Sequence, residues 1–410
     1  MKHSTGSLFV AIALAASQGC AVIGRFAPAR TPQGVAVGRD GTLLKDGRPL
    51  RAVGVNYFDA FYRALRNPAD TSYRAGFAEL GRRGIPFARF MACGFWPADW
   101  RLYLEDKPLH FALLDAVVQA AEEHGVGLIP CLFWHSATVP DIVGEPRGAW
   151  GDPASKTHAF MRSYVRETVT RYRRSPAIWA WEFGNEYSLD ADLPNAAQHR
   201  PKVVADRGTP GSRSERDDLT HDALAVAVRA FAHEVRRHDP RRPISSGHSA
   251  PRPSAWHQWK EKIWGQDTED QFAQRLLLDN PDPVNTLSLH VYRPTEKRFG
   301  RETSAEEFLA VAMQVSAQAR KPLFIGEFGA PGIGPPAEKA AREQFGALLA
   351  AIEKAGVPLA ALWVYDFAAQ GKDWNVRWNN ARAWQLAAIA EANQRISARP
   401  SPEPPGQDDD

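Results

Sequence analysis

The sequence predicts an α/β protein, a (β/α)8 TIM barrel, and three observations lead to this prediction. Short apolar runs alternate with amphipathic helical patterns along most of the chain, which is typical of repeated βα units. Eight such apolar runs can be counted between the two ends of the chain. The 410 residues are enough for one barrel with insertions, although they also fit two ordinary domains. Eight βα units at this length favour a single barrel, which we place at residues 38–396.

The elements follow in order from the start of this region. A hairpin comes first, because Asp46 and Gly47 supply a tight turn between two short strands, the second leading into a barrel strand at 52–58. The later strands are predicted near 85–91, 127–135, 177–186, 242–247, 284–292, 322–329 and 357–367. Helices are predicted near 70–83, 111–124, 155–174, 221–240, 305–320, 337–355 and 380–394. An insertion with several tryptophans follows the fifth strand.

The first 20 residues are expected to be an export signal rather than part of the fold. An early lysine precedes an apolar run from Leu8 to Ala16, and small residues precede Cys20. The run is too short to span a bilayer as a mature helix. Two alternatives stay open: cleavage after a small residue such as Ala15 would give a secreted or periplasmic protein. Cleavage before Cys20 would give a protein with a lipid anchor at the cell envelope.

Charge and composition bear on the partners, the cysteines and the carboxyl-terminal tail. The net charge of +3 arises from interspersed charges, so no nucleic-acid partner is expected, and we expect a monomer. Cys93 and Cys131, the cysteines left after the signal, are too few for a disulfide framework and are expected to be small core residues. Residues 397–410 lack apolar side chains to bury and are predicted to be a disordered tail.

Polar side chains stand at the ends of several predicted strands. Active residues of a TIM barrel lie at the carboxyl ends of its strands, so these positions are expected to meet at one mouth. The candidate residues in chain order are Arg89, Asn185, Glu186, His290, Tyr292, Glu327 and Trp363. Two glutamates with Asn, His, Tyr, Arg and Trp at equivalent strand ends make coincidence the weaker explanation.

Paired carboxyl groups across a barrel mouth indicate glycoside hydrolysis. One group must be protonated and the other ionised, and in the retaining reaction they lie about 5 Å apart. The chain has no HExxH motif or similar cluster, so a metal-dependent hydrolase is disfavoured. Neither an organic cofactor nor a metal is expected, and the predicted partner is an oligosaccharide or polysaccharide substrate.

The chain resembles glycoside hydrolase family 5, the cellulase and mannanase family of clan A, from Thr42 to Gln394. The motifs that carry the resemblance are GVNYF, FARF, WEFGNE, LHVY, GEFG and LWVYDF, in the order of the family. The resemblance implies that Glu186 is the acid/base and Glu327 the nucleophile of a retaining enzyme acting on a β-linked mannan or glucan.

Further roles follow from the same resemblance. Asn185 would donate to the sugar 2-hydroxyl, and His290 would bond near Glu186 or to a sugar hydroxyl. Tyr292 and Arg89 would donate to Glu327 and lower its pKa. Trp363 would form the floor under the sugar at the cleavage point.

Several points stay open at this stage. Trp134 and His135 are adjacent on the third strand, where family members often have a histidine, and only one can point inward. Glu182 shares strand parity with Glu186, and we interpret it as a buried partner of Arg89. Aromatic residues on the loops could line a polysaccharide cleft or simply pack; they are Trp96, Trp100, Trp150, Tyr187, Trp256 and Trp374. The alternative functions are a non-catalytic carbohydrate-binding barrel, and a clan A exo-glycosidase or transglycosylase on short oligosaccharides.

Overall fold

A computed structural model of the chain describes residues 34–332, 334, 336–371 and 373–398. The predicted export signal, with Cys20, lies outside the described residues, as does residue 399 onward of the predicted tail. The strands are β1 (Val35–Val37), β2 (Leu43–Lys45), β3 (Arg48–Pro49), β4 (Ala52–Asn56), β5 (Phe87–Met91), β6 (Gly127–Phe133), β7 (Trp181–Gly184), β8 (Ile244–Ser245), β9 (Leu287–Val291), β10 (Thr295–Arg298), β11 (Arg301–Ser304), β12 (Leu323–Phe328) and β13 (Leu359–Leu362).

Helices alternate with the strands, as the periodicity predicts. They are α1 (Tyr62–Arg66), α2 (Tyr73–Arg82), α3 (Arg101–Glu105), α4 (Lys107–Glu123), α5 (Thr138–Val143), α6 (Lys156–Tyr172), α7 (His221–His238), α8 (Ala255–Glu261), α9 (Glu269–Asp279), α10 (Ala305–Ala319), α11 (Ala337–Ala355) and α12 (Trp384–Ala398). Side-chain caps at Ser155, Thr220, Thr268 and Ser304 begin α6, α7, α9 and α10, each satisfying an amide of the first turn. Among the described residues, no helix combines the length and the apolar character that a membrane span requires.

Eight parallel strands form one sheet in the order β8, β7, β6, β5, β4, β13, β12, β9. This arrangement confirms the predicted (β/α)8 barrel. No backbone ladder joins β8 to β9 in the described part of the chain, and side chains bridge this seam instead. The Ile244 amide donates to Asn285 Oδ1 at 2.8 Å, and Thr286 Oγ1 donates to the Ile244 carbonyl at 2.8 Å.

An apolar layer closes the amino-terminal end of the barrel. Phe87, Ile129, Trp179 and Phe324 meet inside it, and Val35 and Leu43 of the small β1–β2–β3 sheet cover them. The predicted turn at Asp46 and Gly47 joins β2 to β3, and both residues have the positive φ that such a turn requires. The two cysteines, Cys93 and Cys131, are buried and unpaired, as predicted. With this end filled, the polar residues of the barrel interior lie toward the opposite mouth.

The described elements extend slightly past the predicted domain boundaries at both ends. The described fold begins before residue 38, because β1 pairs with β2 from Val35 onward. At the other end, residues 397 and 398 belong to α12 rather than to the tail, since Ile396 packs on the core and the helix continues past it. Asn393 of α12 also accepts from the Val53 amide at 2.8 Å, which fixes this helix to the first barrel strand.

Candidate active site

Glu186 and Glu327 face each other from opposite sides of the barrel mouth. Glu186 follows β7 and adopts a left-handed backbone conformation (φ 55°). Its backbone amide donates a hydrogen bond to the Gly247 carbonyl at 2.9 Å, which holds this conformation. A non-glycine residue in this region is strained, and such strain clusters at functional sites. Glu327 lies within β12, where a shift in register against β9 leaves Gly326 as an extra residue. Bulges of this kind re-aim a neighbouring side chain.

Gly326 is required at the bulge because His290 occupies the adjacent space. A Cβ on residue 326 would lie 2.6 Å from Nε2 of His290, and no real contact is that close. With the backbone of Gly326 this close to its ring, His290 has its Nδ1 2.9 Å from Glu186 Oε1 and 3.6 Å from Glu327 Oε2. One carboxylate oxygen of each glutamate and one ring nitrogen of the histidine all lie within 4.8 Å of one another.

Arg89 organises the floor of the site. It is fully buried, and its Nε bonds Glu182 Oε1 at 2.6 Å while Nη1 bonds Glu327 Oε1 at 2.9 Å. Nη2 donates to Asn185 Oδ1 at 2.7 Å. The predicted pairing of Glu182 with Arg89 is therefore confirmed. A buried guanidinium needs such partners, because an uncompensated charge in this position would cost several kcal/mol.

Asn56 belongs to this network, although it is not among the predicted site residues. Its Oδ1 accepts from Nη1 of Arg89 at 3.0 Å, and its Nδ2 donates to the Gly326 carbonyl at 2.8 Å. It therefore ties the arginine to the bulge that carries Glu327. The signal was available, since Asn56 is the polar residue at the end of the first strand in the GVNYF motif.

Tyr292 donates its hydroxyl to Glu327 Oε2 at 2.5 Å. Its ring meets the edge of Trp374, with 5.3 Å between ring centroids. Behind it, Nε2 of Gln344 donates to the backbone carbonyls of Tyr292 and Gly329, at 2.7 and 3.2 Å. Gln344 lies on α11, and nothing in the sequence around it indicates this contact. Both oxygens of Glu327 therefore accept hydrogen bonds from donors that are fixed in place.

The structure brings Trp134, rather than His135, to the catalytic groups. The Trp134 ring covers the Arg89 guanidinium at 4.6 Å and stacks on Trp363, with 5.9 Å between centroids. Nε1 of Trp363 donates to Gln370 Oε1 at 2.8 Å. His135 instead lies beside Phe95, with 5.2 Å between ring centroids, and within 3.3 Å of the Thr138 hydroxyl.

Three of the loop aromatics are core residues. Trp100, Trp150 and Tyr187 are at most 2% exposed, so they pack within the protein and cannot line an open cleft. Trp96, Trp256 and Trp374 are half-buried and remain available at the surface. Of these, Trp374 contacts Tyr292 and therefore lies beside the carboxylate pair.

Burial dominates the protonation of the site. It raises the pKa of both Glu186 and Glu327, and the charge of Glu186 raises the pKa of Glu327 further. Arg89 and Tyr292 act in the opposite direction on the pKa of Glu327, as expected, and so does His290. The net lowering predicted for the Glu327 pKa is nevertheless wrong, because burial outweighs all three. Burial also lowers the pKa of His290 to about 4, so its imidazole is neutral at neutral pH.

The two carboxyl groups differ in their donors. Glu327 accepts from a guanidinium and a phenol, and both hydrogen bonds stabilise its ionised form. Glu186 is the more exposed of the pair, with 29% of its side chain accessible against 6% for Glu327. Because Glu186 has no lysine or arginine within ion-pair distance among the described residues, the donors favour Glu327 as the ionised group of the pair and Glu186 as the protonated one, while burial raises the pKa of both. The Arg89 guanidinium beside Glu327 also opposes a divalent cation at this carboxylate.

A (β/α)8 barrel with two carboxyl groups at this spacing, and tryptophans beside them, has the architecture of the barrel glycoside hydrolases. Comparison with known families agrees with this class. The sequence profile of the cellulase family, glycosyl hydrolase family 5, matches residues 84–380, and the chain belongs to this family.

Individual relatives match smaller parts of the chain. Mannan endo-1,4-β-mannosidase 3 of Oryza sativa subsp. japonica is 28% identical over 183 residues, which is 38% of each chain. The probable mannan endo-1,4-β-mannosidase F of Aspergillus flavus is 41% identical over 80 residues, 18% of this chain and 17% of that one. The chain thus matches less than a fifth of the length of the Aspergillus relative and less than half of the rice relative.

Solved structures resemble the whole barrel. The endo-1,4-β-mannanase from Rhizomucor miehei has a TM-score of 0.63 at 15% identity, over 88% of this chain and 100% of that chain. An exo-β-1,4-mannosidase from Opitutaceae bacterium strain TAV5 has a TM-score of 0.60 at 16% identity, over 88% of this chain and 62% of that chain. At these identities the likeness shows a common fold.

Proposed function

We propose that the protein is a retaining glycoside hydrolase that cleaves β-linked glycans of the β-mannan type. The observation that supports this most directly is the spacing of Glu186 and Glu327, since one carboxylate oxygen of each lies within 4.8 Å of the other. Retaining glycosidases hold their two carboxyl groups about 5–5.5 Å apart, whereas inverting enzymes leave about 6.5–9.5 Å for a water molecule. The pair is therefore placed for double displacement.

In the first step, ionised Glu327 attacks the anomeric carbon while Glu186 gives its proton to the departing glycosidic oxygen. Arg89 and Tyr292 hold the carboxylate of Glu327 in place until it forms the covalent bond. In the second step, Glu186 takes a proton from water, and the hydroxide displaces Glu327 from the sugar. Neutral His290 lies 2.9 Å from Glu186 and orients it in both steps.

We assign recognition of the sugar itself to Asn185. Its Oδ1 already accepts from Nη2 of Arg89, so the amide orientation is fixed and Nδ2 is left to donate. A donor beside the acid/base suits the 2-hydroxyl of the sugar under attack, a bond that strengthens as positive charge develops on the ring. Trp363 offers a flat apolar surface beside it for the C–H face of the same sugar.

The substrate class is inferred from the relatives. The rice and Aspergillus proteins are named mannan endo-1,4-β-mannosidases, and the structural neighbours include a mannanase and an exo-mannosidase. A β-1,4-linked mannan is therefore the first substrate to test. Internal and terminal cleavage both remain compatible with this carboxylate pair, and product analysis separates them.

The test uses purified full-length protein on β-mannans, β-glucans and xylans, comparing the wild type with Glu186→Ala and Glu327→Ala. We expect both substitutions to abolish nearly all turnover on the polymer that the wild type hydrolyses. Glu167→Ala is a matched control, since Glu167 is a partly exposed glutamate paired with Lys107. NMR of the first product should show the β-anomer. An α-anomer, or full activity of Glu327→Ala, would contradict the mechanism, and sugar binding without hydrolysis would indicate a non-catalytic barrel.

We also propose export, based on residues 1–20. The mass of the mature protein from its native host distinguishes the two open routes. A diacylglycerol-modified amino terminus that is lost in Cys20→Ser would identify a lipid anchor, and an unmodified terminus after a small residue would identify secretion. Retention of the full 20 residues would contradict both.

A further inference from the structure

A pocket of about 210 Å³ opens between the loops that follow β8 and β9. Its inner end includes Ser249, His290 and Tyr292. His290 bonds Glu186, and Ser249 is close enough to Glu186 to lower the pKa of its carboxyl group, so the pocket adjoins the group assigned as the acid/base. A sugar on the leaving-group side of the bond must lie against that same group. The pocket is smaller than the roughly 300–1,000 Å³ of drug-sized sites, which suits about one sugar ring.

Three arginines and one glutamate also line the pocket, namely Arg252, Arg293, Arg298 and Glu296. Glu296 is shared, since Arg298 Nε bonds it at 2.5 Å and Arg293 Nη1 lies 3.6 Å from it. One carboxylate thus serves two guanidinium groups. Arg293 is otherwise open to solvent, with 74% of its side chain exposed.

Arg252 has no carboxylate within ion-pair distance among the residues that the structure describes. Its guanidinium donates to uncharged oxygens instead, at 2.7 Å to the Ala191 carbonyl and 2.8 Å to Gln258 Oε1. The nearest acidic residues are already paired with other cations. Asp190 bonds Arg147, Asp192 bonds Lys262, and Asp279 bonds Arg275.

The pocket therefore carries two positive charges in excess. Around the catalytic pair, negative charge is in excess instead, because Glu182 and an ionised Glu327 share the single positive charge of Arg89. Apolar groups of Val291, Pro253 and Phe308 complete the lining and offer surface for the C–H face of a sugar.

We propose that this pocket binds a carboxylate-bearing sugar unit, a uronate, on the leaving-group side of the scissile bond. The proposal rests on the function proposed above, because it assigns a substrate feature to the same active site. Guanidinium groups bind carboxylates through charge-assisted hydrogen bonds that a neutral sugar does not provide. The excess positive charge also offsets the repulsion that an acidic substrate would meet from the catalytic carboxylates.

The experiment measures inhibition of the full-length enzyme by D-glucuronate and D-mannuronate against D-glucose and D-mannose, with a neutral manno-oligosaccharide as the substrate. Saturation-transfer NMR with the same four sugars measures binding independently of turnover. We expect the uronates to bind about tenfold more tightly than the neutral sugars at low salt. At about 0.5 M salt the preference should shrink, because the pocket is open to screening.

Arg293→Glu is the main variant, since the exposed side chain can be reversed in charge without disturbing the core. It should remove the uronate preference and leave binding of neutral sugars within about twofold. Arg342→Glu is the matched control, as Arg342 is a half-exposed arginine on α11 outside the pocket lining. Equal binding of uronates and neutral sugars, or a preference that Arg293→Glu leaves intact, would overturn the proposal.

The two proposals fail in different ways. If the wild type hydrolyses a neutral glycan but shows no uronate preference, the pocket assignment is rejected and the proposed hydrolysis stands. If the wild type binds uronates with the expected dependence on Arg293 but hydrolyses no glycan, the proposed hydrolysis is rejected and the pocket remains.

Discussion

The charge balance at Arg89 gives a prediction that a purely structural role would not produce. Replacing Glu182 by Gln keeps the shape of the side chain and removes one of the two carboxylates that share this guanidinium. Glu182 and Glu327 bind nitrogens of the same group, so their charges lie roughly 7 Å apart and repel each other by about 2 kcal/mol at an effective dielectric constant of about 20. Without that repulsion, the pKa of Glu327 falls.

The assay is the pH dependence of kcat/KM on a soluble manno-oligosaccharide. The acid limb reports ionisation of the nucleophile in the free enzyme, so in Glu182→Gln it should move to lower pH by roughly 1–2 units. The variant should also lose stability, by about 3 kcal/mol or more, because a buried arginine loses a partner. An acid limb that stays in place, or moves to higher pH, would refute the reasoning.

Glu79→Gln is the control for this experiment. Glu79 is a buried carboxylate on α2 that pairs with Arg82 and Arg83, away from the barrel mouth. Its replacement should lower the melting temperature and leave the pH profile unchanged. A shift of the acid limb in both variants would indicate that instability, rather than charge, moves the profile.

Three further predictions follow from the same structure. Gln344→Ala should reduce kcat about tenfold with little change in KM. The carbonyl of Tyr292 loses the hydrogen bond that holds it, while the substrate-binding surface stays intact. Steady-state kinetics in which only KM rose would contradict this prediction. Trp363→Ala should lower kcat/KM by about 100-fold through loss of the aromatic surface, whereas Trp256→Ala on the outer insertion should leave it within about twofold. Stability should fall as pH drops from 6.5 to about 4, since burial lowers the pKa of several histidines to about 4 and neutral folded forms bind fewer protons than the unfolded chain. These histidines are His110, His135, His248 and His290. Each contributes about 3 kcal/mol to the free energy of unfolding, and this contribution is complete above pH 6.5. Calorimetry across this pH range measures the effect, and a stability that does not change with pH would contradict it.

The barrel could be predicted because each strand is an apolar run that ends in polar residues. Apolar runs with polar ends placed Arg89, Glu182 and Glu327 on strands that the structure confirms, and Glu186 just after one of them. The parity of Glu182 with Glu186 was enough to pair Glu182 with Arg89. Asn56 obeys the same rule and was overlooked, although no further information was needed to find it. These predictions depend only on local periodicity and on the closure of the barrel.

Other features depend on tertiary contacts that no local pattern encodes. The choice between Trp134 and His135 is fixed by stacking on Arg89 and Trp363, which come from different strands. Gln344 reaches the site from a helix outside the barrel, and Arg252 acquires its environment from residues 60 positions away. The direction of the Glu327 pKa was missed because burial, which sequence does not quantify, exceeds the effect of the donors.

The seam between β8 and β9 is expected to be the most easily opened part of the barrel wall. Elsewhere neighbouring strands are joined by backbone hydrogen bonds that substitutions leave in place, but here the side chains of Asn285 and Thr286 close the wall. Amide protons along this seam should therefore exchange earliest among those of the barrel strands. Since the arginine-lined pocket opens directly above it, a change of one or two side chains can widen or narrow that pocket while the other seven strand pairs keep their register.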